Sequence, residues 1–369
     1  MHLSSPEELP QALAEALAGR LVAASLPRTG AEQVVAALQP QLPVTELTAG
    51  VAVATSGSTG QPKIVMLSAQ AVLASASATH ARLGGVGDWV CVLPTHHVAG
   101  MMTVARAVAA GRGIRFAAPD LTDLPDGGDR SYLSVVGAQL YRAAADPELL
   151  ARLRDYAAVL VGGSAVSGQL LAQVRESGVR LVTTYGMAET CGGCVYDGRP
   201  LDGVRIGFAG ERITLTGPMA FSGYRLDPEL TAQVLDGDTV LTGDRGRLTE
   251  GRLQVTGRVD EVVVSGGVNV DLAQAQRVCE QVFGPPEAGG PVLLAIGDPR
   301  WGQRIVAVTL GEADLETLTD GLQDRLGPAA LPRELRRVAA LAYTPTGKID
   351  RRALQRAWRK PEVSDGHGG

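Results

Sequence analysis

VAVATSGSTGQPK, residues 51–63, decides how this chain is read. Its first five residues, Val51–Thr55, are small or β-branched and predict a buried strand. Glycine, serine and threonine then open a loop that Lys63 closes. Gly57 and Gly60 permit a twist in which backbone N–H groups converge on an anion. Thr55, Ser56, Ser58 and Thr59 add hydroxyls, and Lys63 adds a point charge. These are the parts of a phosphate site. No G-K-[ST] follows at the Walker spacing, which disfavours a P-loop NTPase.

Outward from the loop, the pattern alternates. Pro6–Leu38 reads as amphipathic helices, and Ser68–Leu83 as an Ala-rich helix directly after the loop. Strand-like runs recur at Trp89–Pro94, Arg115–Ala117, Tyr132–Val136, Ala158–Val161 and Leu181–Thr184, with helical stretches such as Met101–Ala110 between them. Strands alternating with helices predict a mainly parallel α/β sheet. After Gly203 short strands with glycine turns dominate, and from Val270 a helix–strand–helix pattern resumes. The expectation is an α/β protein with a large domain over residues 1–257, β-rich from about 204, and a small α+β domain over 258–360. Residues 361–369, polar and Gly-rich, read as a disordered tail.

Bulk composition narrows the function. The chain has 369 residues, 45% hydrophobic and 20% charged, which is ordinary globular usage. A formal charge of −5 offers no field for nucleic acid or an anionic membrane. No apolar run reaches the length of a membrane span, and the N-terminus lacks the pattern of a secretory signal. Four cysteines do not make a disulfide framework, so the expectation is cytoplasmic. Cys191 and Cys194 are spaced C-x-x-C without a second Cys/His pair nearby. Small residues in a tight turn is the favoured reading over a redox pair or half a zinc site.

Three more stretches bear chemistry. TTYGMAET (Thr183–Thr190) sets Glu189 beside hydroxyls and a glycine turn. LTGDRGRL (Leu241–Leu248) places Asp244 in a tight turn, where a carboxylate can accept from a sugar diol. PTGKIDRRAL (Pro345–Leu354) holds Lys348 in a Pro/Gly-framed loop. With TSGSTGQPK, GPMAFSGY and GRVDEVVVSGG, these runs resemble the adenylate-forming acyl-CoA synthetase superfamily, and they span residues 51–354.

That resemblance implies two steps: a carboxylate attacks the α-phosphate of ATP, and the thiol of coenzyme A then displaces AMP. It implies that Lys63 and the loop hydroxyls hold the outer phosphates and that Glu189 holds Mg²⁺, a hard cation preferring oxygen. Asp244 would bind the ribose, with Arg258 assisting there or at the phosphate. Gly163, Ser164, Tyr185, Gly186, Met187 and Thr190 would line the nucleotide. Lys348 would neutralise charge growing on the reacting oxygens. The small domain would turn about a hinge at Asp260, and Ser265, Gly266 and Gly267 would line the path of the thiol.

The segment LPTHHVAGMMTVARAVAAG is similar to one in the o-succinylbenzoate–CoA ligases of menaquinone biosynthesis. His97 matches a histidine of that segment, as pocket wall or gate rather than general base. Arg106 follows nine residues on. The acid carries a second, aromatic carboxylate, and an arginine fork suits it in an apolar pocket. SVVGAQLYRAA (Ser134–Ala144) resembles another family segment and puts Gln139 and Leu140 near the substrate. The phosphate loop starts earlier than in most members, so a short form is expected. In that form one wall of the acyl pocket is altered and a homodimer is left open. Three other readings stand beside this one: a ligase for another aryl or short acid, a protein loading a carrier's thiol, and a non-catalytic nucleotide binder.

Overall fold

Val51–Thr55 does lie in a strand, and the strand is one arm of a hairpin. The computed structural model describes residues 1–56, 62–128, 130–343 and 349–359. Gly57, Ser58, Thr59, Lys348 and the tail 361–369 lie outside the described residues, as do the side chains of Ser56 and Asp260. The chain divides into two compact units, Met1–Val255 and Thr256–Gly369.

The first unit holds three sheets. In the first, β1 (His2–Ser4), β2 (Val22–Ser25), β3 (Gly50–Ser56) and β4 (Pro62–Ser68) lie side by side, with β14 (Gly223–Tyr224) beyond β4. β1, β2 and β3 are parallel, and β4 runs back along β3 with Thr55 opposite Lys63. Two expectations are corrected here. Pro6–Leu38 is not wholly helical, because Val22–Ser25 is four consecutive buried residues, too short for a helix and buried on both faces. Nor does the loop lead straight into a helix, because Pro62–Ser68 intervenes as β4.

The second sheet is the α/β sheet expected from the alternation. Its order is β11 (Arg199–Pro200), β10 (Gly192–Tyr196), β9 (Leu181–Met187), β8 (Ala158–Gly162), β7 (Ser131–Val136), β5 (Asp88–Cys91), β6 (Ile114–Phe116). β6, β5, β7, β8 and β9 are parallel, and β10 turns back antiparallel to β9. Alternate side chains feed two cores. Trp89, Cys91 and Tyr132 face one that also holds Val51, Val53, Met101 and Met102. Val90, Val92 and Leu133 face another, with Leu140 and Val159. A sheet buried on both faces explains the near-continuous apolar runs.

The third sheet orders β12 (Arg205–Ala209), β13 (Arg212–Thr216), β16 (Thr239–Thr249) and β15 (Leu235–Asp236), with β17 (Arg252–Arg258) also on β16. This is the β-rich texture read after Gly203. In the second unit, β19 (Val268–Asp271), β18 (Val262–Ser265), β21 (Gly302–Thr309) and β20 (Val292–Asp298) pair in that order, and β22 (Leu335–Arg337) joins β21. The helix Leu272–Phe283 covers that sheet through Leu272, Ala275 and Cys279. Among the described residues no helix is long and apolar enough to cross a membrane.

Candidate active site

The parallel strands of the second sheet end at the predicted positions. His97 follows β5, Gly137–Gln139 follow β7, Gly163 and Ser164 follow β8, and Tyr185–Met187 close β9. The chain leaves β5 for β6 on one side and returns to β7 on the other. Carboxyl ends flanking such a reversal frame the crevice in which open α/β sheets bind ligands. Gly163 and Ser164 are exposed there. At Gly186, φ is +158° and a Cβ would fall 2.0 Å from the Gly192 carbonyl oxygen, so only glycine lets β10 return this closely.

Two of the residues expected to hold the nucleotide meet directly. The Tyr185 hydroxyl donates to Asp244 Oδ2 at 2.9 Å, joining β9 to β16. Burial first, and the Asp244 carboxylate second, push the Tyr185 phenol up, so it remains a donor. The Asp244 N–H in turn donates to Thr242 Oγ1 at 3.1 Å.

Glu189 sits on a single 3₁₀ turn, Ala188–Thr190. Thr190 is fully buried, with its hydroxyl accepting from the Met187 N–H at 2.9 Å and lying 2.8 Å from the Gly192 carbonyl. That hydroxyl fixes the turn and is not available to a nucleotide. The turn ends at Cys191 with φ +52°. Cys191 and Cys194 are buried free thiols, and burial pushes both up, Cys194 to about 12. Glu189 Oε1 accepts from the Tyr224 hydroxyl at 2.6 Å. Lys63 Nζ lies 5.7 Å from the centre of the same tyrosine ring. Tyr224 was quoted within GPMAFSGY but carried no role in the sequence; an aromatic hydroxyl after a glycine turn is the one signal it gave.

Magnesium fits this turn. One Glu189 oxygen is held by Tyr224 and the other accepts no hydrogen bond among the described residues. No cluster of three or more His, Cys, Asp or Glu is present among them. A single carboxylate sharing the ion with substrate phosphates is the usual arrangement for Mg²⁺.

The helix Val98–Ala109 carries the residues expected at the acyl end. His97 is its N-cap, and its Nε2 is buried without a hydrogen-bond partner among the described residues. Burial pushes the His97 imidazole down, and pushes neighbouring His96 down to about 4. Nine residues along, about 13 Å at helical rise, Arg106 is 4% exposed. Its guanidinium carbon lies 5.2 Å from the Trp89 ring centre. The Trp89 indole N–H donates to His80 Nε2 at 3.2 Å. Burial, then Arg106, hold His80 down to about 4. Arg106 has no carboxylate and no hydrogen-bond acceptor among the described residues, and its Nε is buried unpaired. Trp89 and His80 were not singled out in the sequence.

Gln139 and Leu140 fall elsewhere. Leu140 is fully buried in the second core. The Gln139 amide accepts from the Val136 N–H at 2.9 Å and donates to the Pro119 carbonyl at 2.8 Å. Neither side chain presents a group to a substrate; Gln139 ties the end of β7 to the 119 loop. In the second unit, Arg258 ends β17, and Ser265 is fully buried with its hydroxyl unpartnered among the described residues. Gly266 turns at φ +60° beneath Trp301, where a Cβ would meet the ring at 2.6 Å.

The AMP-binding enzyme family pattern matches residues 14–255, and the chain belongs to that family. A probable 2-succinylbenzoate–CoA ligase from Mycobacterium tuberculosis is 40% identical over 323 residues, covering 82% of this chain and 83% of the relative. The 2-succinylbenzoate–CoA ligase of Escherichia coli is 30% identical over 283 residues, 74% of this chain and 61% of that one. Among solved structures, o-succinylbenzoate CoA synthetase from Bacillus subtilis in complex with the acyl-adenylate intermediate aligns with a TM-score of 0.71. It is 21% identical and covers 94% of this chain and 80% of that one.

Proposed function

We propose that the protein is an ATP-dependent ligase that adenylates 2-succinylbenzoate and passes the acyl group to coenzyme A, a step of menaquinone biosynthesis. Arg106 carries the substrate assignment. A buried cation without a counter-charge costs several kcal/mol, and stacking on Trp89 returns only about 2. The second carboxylate of a dicarboxylic acid is the partner that makes such a residue worth keeping. The roughly 13 Å of helix between His97 and Arg106 suits an elongated acid with one carboxylate at each end.

Chain residues divide the work. Lys63 and the residue 55–59 loop restrain the outer phosphates, while Asp244 and Tyr185 hold the adenosine. Glu189 would hold Mg²⁺, which would supply screening of the phosphate charge. Lys348 neutralises charge developing between the attacking carboxylate and the α-phosphate. His97, neutral through burial, walls the channel where the acid enters. The small domain expected over residues 258–360 turns about Asp260 between half-reactions, and Ser265–Gly267 line the path of the thiol. The cytoplasm, where the four thiols stay reduced, and a homodimer complete the proposal.

A panel of acids scored by AMP release with coenzyme A tests it. 2-Succinylbenzoate is expected to exceed benzoate and butyrate by roughly 100-fold or more in kcat/KM, with Arg106→Ala erasing that advantage. Equal rates on all three acids would sink the substrate assignment and leave an acyl-CoA ligase of another acid.

A further inference from the structure

Tyr224 touches both charged groups at the phosphate end of the site. β14 pairs with β4 so that Tyr224 lies opposite Val65, diagonal to Lys63 on the same face. Its ring lies against Lys63, and its hydroxyl is bonded to Glu189. Yet Lys63 and Glu189 form no ion pair among the described residues, although both reach one side chain. One tyrosine thus meets a cation at its ring and an anion at its hydroxyl, while the two charges stay unpaired with each other.

The tyrosine is rigidly held. The Phe221 ring meets it edge-on at 5.0 Å. Its own N–H donates to Thr231 Oγ1 at 2.8 Å. The next residue, Arg225, has a side chain wholly removed from solvent and bonded to Glu46 and to the carbonyls of Leu38, Gln39, Leu42 and Pro43.

We propose that Tyr224 is a positioning residue that keeps the phosphate lysine and the metal carboxylate apart and separately aimed, so that neither is spent on the other before MgATP arrives. The proposal rests on the roles given above to Lys63 and Glu189. The ring is the spacer, and its face offers the ammonium a weak cation–π contact that ATP phosphates displace. The hydroxyl holds one carboxylate oxygen and leaves the other for the ion.

Calorimetric titration of ATP into the full chain, with Mg²⁺ and with chelator, separates these roles in wild type, Tyr224→Phe and Tyr224→Leu. In wild type Mg²⁺ tightens ATP binding. Tyr224→Phe keeps the spacer and loses the hydroxyl, so the tightening by Mg²⁺ shrinks roughly tenfold while metal-free affinity holds. Tyr224→Leu removes the spacer, Lys63 pairs with Glu189, and affinity falls with and without the ion. Thermal melts of each variant accompany the titrations, because a merely structural tyrosine would lower the melting temperature and leave the Mg²⁺ dependence alone. That pattern, or Tyr224→Phe with wild-type Mg²⁺ dependence, overturns the proposal. Wild-type binding indifferent to Mg²⁺ overturns the role of Glu189 and the proposal with it.

Discussion

Arg106 and Arg225 are both buried arginines of the first unit, and they could hardly be treated more differently. Arg225 bonds a carboxylate, Glu46, and four backbone carbonyls. Arg106 lies against an indole face with no acceptor among the described residues. The first has its counter-charge built into the fold. The second is proposed to receive one with the substrate. A saturated buried arginine is a rivet, whereas the unsaturated one is, on that proposal, half of an interaction completed by the acid.

The sharpest way to break this contrast is to remove each guanidinium. Arg225→Met leaves the Glu46 carboxylate and several carbonyls without a donor, and should cost about 3–5 kcal/mol of stability in chemical denaturation. A loss below about 1 kcal/mol would mean the rivet is ornamental. Arg106→Met takes away a charge with no partner, so its melting temperature should be no lower than wild type. Added 2-succinylbenzoate should raise the melting temperature of wild type and not of Arg106→Met, since a ligand stabilises only what it binds. If both variants melt alike, the distinction fails.

A smaller effect sharpens it. His80 is held down to about 4, first by burial and then by Arg106, against an ordinary 6.5. Between these values the unfolded chain takes up a proton that the folded chain refuses. Stability is therefore full above pH 6.5 and lost as pH falls toward 4, by up to about 3 kcal/mol over the window. His80→Gln keeps an acceptor for the Trp89 indole and should flatten this slope, measured as denaturation midpoint against pH. An unchanged slope would place the proton elsewhere, His96 being the next candidate.

What the sequence disclosed follows from how each feature is encoded. The α/β sheet was legible because strands buried on both faces spell continuous apolar runs. Glu189, Asp244 and Tyr185 were singled out because each lies in a short glycine-bearing run; Glu189 does sit on a turn, whereas Tyr185 lies in β9 and Asp244 in β16, not in the tight turn expected of it. β4 escaped notice because Pro62 and Lys63 continue the polar loop in composition while already pairing with Ser56 and Thr55. Gln139 was misread because nothing in SVVGAQLYRAA says that its amide is consumed by backbone groups at Val136 and Pro119. Tyr224, His80 and Trp89 were hidden for a different reason. Tyr224 meets Glu189 across 35 residues of chain, and a contact of that span has no local pattern. Arg106 was suggested only through resemblance; its burial and its lack of an acceptor are tertiary facts.

The hydrogen bond from Tyr185 to Asp244 has a further consequence. Under the role proposed for Asp244, it fixes the carboxylate rotamer before any ribose arrives, so the entropy of ordering that side chain is lost during folding and not during binding. On that proposal the nucleotide meets an acceptor already aimed. Its affinity therefore draws on contacts the chain has set in place across two sheets, and little of it is consumed in arranging them.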